Sequence, residues 1–173
     1  ELATGRIRRG SGWPIKTPMI DLIEIGAGGG SIAWIDAGGA LKVGPQSAGA
    51  DPGPACYPQG GPVPTVTDAC VVLGIINPTF FLGGNMTINS KAATTAISTH
   101  IAEPLGLDAI QAANGILDVA ISNMQRALRI VTLERGRDPR DLVLLAFGGA
   151  GPMVAGRLAA ELHFNQAIVP ETP

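Results

Sequence analysis

The sequence predicts a mixed α/β domain in which an antiparallel β-meander is followed by helices and then by a parallel β–α–β crossover. Three observations carry that prediction. Apolar, β-branched runs flank a glycine cluster in "MIDLIEIGAGGGSIAWID". Between Ser90 and Val131 the apolar residues recur at steps of three and four. Beyond them "LVLLAFGGAGP" leads into a second helical pattern and then "AIVP", the order strand, turn, helix, strand. Antiparallel neighbours need only a tight turn, whereas parallel strands need a crossover of a dozen or more residues.

Taken in chain order, Met19 to Ile25 is apolar enough for a buried strand, with Asp21 and Glu24 as its charged interruptions. The glycines that follow, Gly28, Gly29 and Gly30 among them, permit close approach of a ligand and can turn several N–H groups toward an anion. The same residues also suit a plain hairpin turn. "SIAWID" reads as a second strand, "AGGA" as a tight turn in which Asp36 is a turn residue, and "LKVG" as a third strand. A dinucleotide fingerprint needs a helix to open at the glycines, so a strand in that place argues against a Rossmann fold.

Residues 44 to 67 are so dense in proline and glycine that neither helix nor ladder is expected to persist through them. Long loops in compact domains are either functional or mobile. "ACVVLGIINPTFFLGG" gives a short element that ends at Asn77 and Pro78 and turns again at Gly83 and Gly84. Ser90 is expected to cap a helix that Pro104 ends, with Ala93, Ala96, Ile97 and Ile101 on its apolar side. Asp108 and Gln111 have the form of a capping box for a longer helix. Its stripe is Ile110, Ala113, Leu117, Ala120, Met124, Leu128 and Val131, and Gly136 and Pro139 supply the stop. Leu142 to Phe147 is expected to pair into the same sheet as the meander. Pro152 suits the first turn of a helix that faces Val154, Leu158 and Leu162 inward.

Composition narrows the function classes. The 173 residues carry a net charge of −2, with basic residues scattered apart from "GRIRRG", so there is no electrostatic footprint for nucleic acid or an anionic membrane. The uncharged stretch from Ala69 to Ser90 is broken by Gly74, Pro78, Gly83 and Gly84, which makes it a poor bilayer span. Two cysteines, Cys56 and Cys70, lack metal-site spacing and read as reduced thiols of a cytoplasmic protein. A nucleophilic Cys56 would need a base, and only His100 and His163 exist to supply one. The chain opens on "ELATG" with no signal-like segment, and is expected to be a piece of a longer protein: residues 1–17 a linker or strand leading in from an N-terminal part, residues 18–173 one subdomain.

A meander with glycines in its first turn, then helices, then a strand ending in "FGGAG", resembles one half of the ribonuclease H-like fold of actin-like ATPases. The wording "PMIDLIEIGAGGGSIAWIDAGGALKVGPQSAGADPGPACY", "PTVTDACVVLG" and "LERGRDPRDLVLLAFGGAGP" resembles the hydantoinase A and ATP-dependent oxoprolinase family, with its related acetone carboxylase subunits. That resemblance implies ATP and Mg²⁺ as cofactors, a small cyclic amide as substrate and a hydantoinase B-like subunit or domain as partner. It implies that Gly28, Gly29, Gly30 and Ser31 meet the phosphates, and that Gly148, Gly149 and Ala150 lie against the adenosine. Asp21, Glu24 and Asp68, the acids nearest these motifs, become the candidates for binding Mg²⁺ through water or orienting the attacking group. The family's N-terminal "DxGGTFTD"-like hairpin is absent from the chain, so half of the phosphate clamp is expected from elsewhere. Another actin-like ATPase, such as a sugar kinase, and a non-catalytic assembly module are the alternative readings.

Overall fold

The computed structural model describes residues 23–171. Strand β1 (Ser31–Ile35) turns through residues 36–40 into β2 (Leu41–Ser47), antiparallel, with Ala33 opposite Val43 and Ile35 opposite Leu41. Asp36 makes the turn: its Oδ1 accepts from the N–H groups of Gly38 and Ala40 at 3.0 and 2.9 Å. The Ala40 N–H is the main cause that holds this carboxyl below its usual range. A strand begins where the dinucleotide fingerprint would open a helix, so that reading is excluded.

Among the described residues the other edge of β1 is not taken by a strand from the start of the meander. Met19 to Leu22 lie outside the described residues, and Ile23 to Ala27 carry no ladder. Pro64 to Thr67 run beside β1 instead: Ala33 N–H donates to the Pro64 carbonyl at 2.9 Å, Ile32 bridges Thr65, and Thr67 N–H donates to the Gly29 carbonyl at 2.8 Å. The expected Pro/Gly loop is therefore shorter than its composition suggests. β2 runs to Ser47, and helix α1 (Val66–Val72) opens at a capping box formed by Thr65 and Asp68.

Helix α2 (Ser90–Ile97) is capped by Asn89, one residue before the expected Ser90. It continues through a wider turn at Ser98–Ala102 into α3 (Glu103–Leu105). Pro104 does not end this run. It lies just after the wider turn, and Gly106 in the left-handed conformation makes the stop. Helix α4 (Ala109–Val131) starts at the expected box, with Asp108 accepting from Gln111 N–H at 2.7 Å and Gln111 Oε1 accepting from Asp108 N–H at 3.0 Å. Its buried face is Ala112, Ala113, Ile116, Leu117, Ala120 and Ile121, packed on α1 and α2. Ile110, placed first in the stripe, is 52% exposed because it lies in the first turn, beyond the edge of that contact. Each fully enclosed isoleucine or leucine in this core stabilises the fold by about 1.5–3 kcal/mol.

Strand β3 (Val143–Leu145), helix α5 (Gly151–Leu162) and β4 (Gln166–Ile168) form the expected crossover, with β3 parallel to β4 and Val154, Leu158 and Leu162 buried. Among the described residues β3 pairs with β4 alone, so there are two two-stranded sheets and β1–β2 is not joined to β3 as one sheet would require; the expected first strand of the meander begins outside the described residues. Residues 23–27 pass between the two sheets: the Gly26 carbonyl lies 3.5 Å from where a Cβ on Gly44 would stand, while Ile23, Ile25 and Ala27 line a groove with Leu144 to Phe147. Among the described residues no helix is long and apolar enough to cross a membrane.

Candidate functional site

The glycine turn before β1 spends its carbonyls inward. Ser31 N–H donates to the Gly28 carbonyl at 3.1 Å, Thr67 N–H to Gly29, and Ala48 N–H to Gly30 at 2.9 Å. Ser31 Oγ accepts from Gly28 N–H at 3.0 Å and donates to the Gly26 carbonyl at 3.4 Å. The N–H groups of Gly29 and Gly30 have no acceptor among the described residues. Backbone donors left free in a fixed turn are what an anion needs.

The second turn follows β3. Gly148 is left-handed, with φ of 76°, and Ala150 caps α5 with no side-chain hydrogen bond. The opening amides of Gly151 and Met153, Pro152 having none, therefore keep their donor capacity at the positive end of the helix dipole. The fold brings the two turns together: a Cβ built on Gly29 would lie 3.9 Å from Ala150 Cβ and 4.0 Å from the end of Met153. Beside them an apolar groove of about 450 Å³ is lined by Ile23, Ile25, Ala27, Phe147 and Ala150 among others. A larger hollow of about 800 Å³, between Trp34, β2 and α4, is lined by neither Gly28 to Gly30 nor Gly148 to Ala150.

The three candidate acids have different standings. Asp21 lies outside the described residues, and Glu24 is exposed. Asp68 is completely enclosed, and its oxygens accept from the N–H groups of Ala55, Cys56 and Thr65 at 3.1, 2.7 and 2.8 Å and from the Thr65 hydroxyl at 2.8 Å. This carboxylate gathers the Pro/Gly loop. Cys56, buried against it, has its thiol pushed far above the ordinary range, first by burial and then by the Asp68 charge, and is no nucleophile at neutral pH. His100 and His163 are both exposed.

Thr67 is the residue that reading by motif passed over. Its hydroxyl stands 2.6 Å from where a Gly29 Cβ would be, so it lies at the meeting point of the two turns. The sequence held a signal for it. "TVTD" has the Thr-x-x-Asp form of a capping box, which fixes Thr67 in the first turn of a helix beside the loop.

This pair of glycine turns, with the phrases that surround them, belongs to a known group of proteins. The chain belongs to the hydantoinase/oxoprolinase family, whose model matches residues 3–173. It is 50% identical over 162 residues to the acetophenone carboxylase gamma subunit of Aromatoleum aromaticum, covering 93% of this chain and 22% of that one. Among solved structures it matches the ATP-dependent caprolactamase of Pseudomonas jessenii with a TM-score of 0.84 and 47% identity, over 92% of this chain and 23% of that one. A nucleotide-free acetone carboxylase, solved in work on ATP-dependent acetone carboxylation, matches with a TM-score of 0.86 and 32% identity, over 98% and 24%. The chain thus spans about a quarter of the length of the relatives it matches.

Proposed function

We propose that this chain supplies one wall of an ATP site in an enzyme that opens a cyclic amide, as a hydantoinase or oxoprolinase does. The observation that carries the reading is the junction of the two glycine turns, where the turn that leaves the Gly29 and Gly30 amides free packs at Gly29 against the uncapped start of α5. In this proposal Gly28 to Ser31 hold phosphate oxygens, and Gly148 to Ala150 lie against the adenosine, whose flat base suits the apolar groove beside Phe147. Bound ATP would supply the phosphoryl group that activates an amide or ketone oxygen. The chain's residues position that group and stabilise its charge through amides fixed in advance, the largest protein contribution in chemistry of this kind.

Among the described residues no three His, Cys, Asp or Glu side chains gather into a metal site. Glu24 or Asp21 would hold Mg²⁺ through water, and the ion would supply positive charge against the phosphates. Asp68 serves as a clamp on the loop, since its oxygens are taken by loop donors. We place this arrangement within one half of an actin-like ATPase module. Its facing half, with the substrate pocket and a hydantoinase B-like partner, would come from the other three quarters of a family-length chain.

A second substrate class, ketones for carboxylation, is favoured by the 50% identity to the acetophenone carboxylase subunit. The experiment compares the isolated 173-residue chain with the full-length polypeptide and its partner. Calorimetry with Mg-ATP is expected to show weak or no binding by the first and clear binding by the second. ADP release should rise with a hydantoin or 5-oxoproline, and with a ketone plus bicarbonate only if the second class is right. Absence of nucleotide binding by the complete protein would overturn both.

A further inference from the structure

We infer that the Thr67 hydroxyl is a ligand-contacting group of this site, donating to a phosphate oxygen held at the Gly29–Gly30 turn; the inference rests on the ATP reading above. Thr67 is 5% exposed, and among the described residues its hydroxyl has no hydrogen-bond partner. The oxygen is not sealed off, because every fully enclosed side-chain polar atom among the described residues does have a partner. It is therefore recessed yet reachable.

What leaves it reachable is residue 29. Any side chain there would place its Cβ 2.6 Å from Thr67 Oγ1 and cover it, whereas glycine leaves it bare beside the free amides of the same turn and the start of α5. Thr67 N–H already holds the turn through the Gly29 carbonyl, so backbone and side chain of one residue address the same spot. The free amides of the turn, the Thr67 hydroxyl and the start of α5 thus lie close to Gly29, and each can donate. Their shared complement is an oxyanion, and within this family reading a phosphate of ATP.

The test uses the full-length polypeptide, with Thr67→Val to remove the donor at nearly constant volume and Thr67→Ser to keep it. Binding of Mg-ATP and of inorganic tripolyphosphate is measured by calorimetry, beside the thermal midpoint without ligand. Thr67→Val is expected to weaken both probes by about tenfold to a hundredfold, the scale of one charge-assisted hydrogen bond, with Thr67→Ser within about threefold of the parent. The midpoint of Thr67→Val should not fall, since it loses an unpaired group. Parent-like affinity in Thr67→Val would sink the inference alone, and a lowered midpoint would make the hydroxyl a structural contact. If the parent binds neither probe, the ATP reading falls and takes this inference with it.

Discussion

Gly28 and Gly29 are neighbours in sequence and opposites in what the fold asks of them. Neither has a left-handed φ, so backbone strain is not what selects glycine at either place. A Cβ at Gly29 would strike Thr67 Oγ1, and Thr67 is enclosed and β-branched, so it has little room to yield. A Cβ at Gly28 would meet nothing within 4 Å. Gly29→Ala is therefore expected to lower stability by about 1–3 kcal/mol through overpacking, whatever the turn binds. Gly28→Ala should leave the thermal midpoint unchanged or slightly raised, because alanine restricts the unfolded chain. If the proposed phosphate site is real, it should still weaken Mg-ATP binding by the full-length protein, since the methyl group enters the open space above the turn. Thermal melts and calorimetry on the two variants give the answer; a Gly28→Ala protein that melts and binds like its parent would reduce the cluster to a turn.

Among the elements, α1 decides more than its seven residues suggest. Asp68 at its third position collects three amides and a hydroxyl, and in Asp68→Asn an NH₂ group would have to face donors. The expected cost is about 2–3 kcal/mol, the range for hydrogen bonds to a charged group left unmade. Urea denaturation should report it as a lower midpoint at unchanged slope. The physical reason the capping-box signal of this helix is easily overridden in reading is local: "PTVTDACVV" follows a proline-rich run and is full of β-branched residues, which favour strand. Burial against α4 and the Thr65–Asp68 box override that preference. By contrast α4 and α5 were legible because periodicity and caps agree in them. The two glycine turns were legible as motifs, but their contact through Gly29 and Ala150 is tertiary, and no local pattern encodes it. Nor could a pattern show that, among the described residues, β3 would find β4 and not β1–β2.

Across the whole molecule, the core carries two thiols, and these set an alkaline limit. Burial raises Cys70 from about 9 to about 11, and Cys56 is raised as well. The unfolded chain loses these protons first, so the native state is unaffected below about pH 9 and loses stability as pH climbs from there toward Cys70's native value. Urea midpoints at about pH 8 and about pH 10.5 should fall in that order, and Cys70→Ala should flatten part of the difference. An equal slope in the variant would mean that the thiol is solvated before unfolding.

The hold of Asp68 on Ala55, Cys56 and Thr65 also has a topological meaning. It turns residues 55–65 from an arm into a closed ring, tied off again where Gly61 N–H donates to the Gly53 carbonyl. The entropy of closing a ring grows only with the logarithm of its length, about 0.6 kcal/mol per doubling. Gly60 has no spare room, since a Cβ there would lie 2.1 Å from the Pro54 carbonyl oxygen, but Pro58 and Gln59 are exposed at the tip. Chain length can therefore be added at that tip at small cost, leaving the knot that ties the ring, and the glycine turn hung from the same helix, where they are.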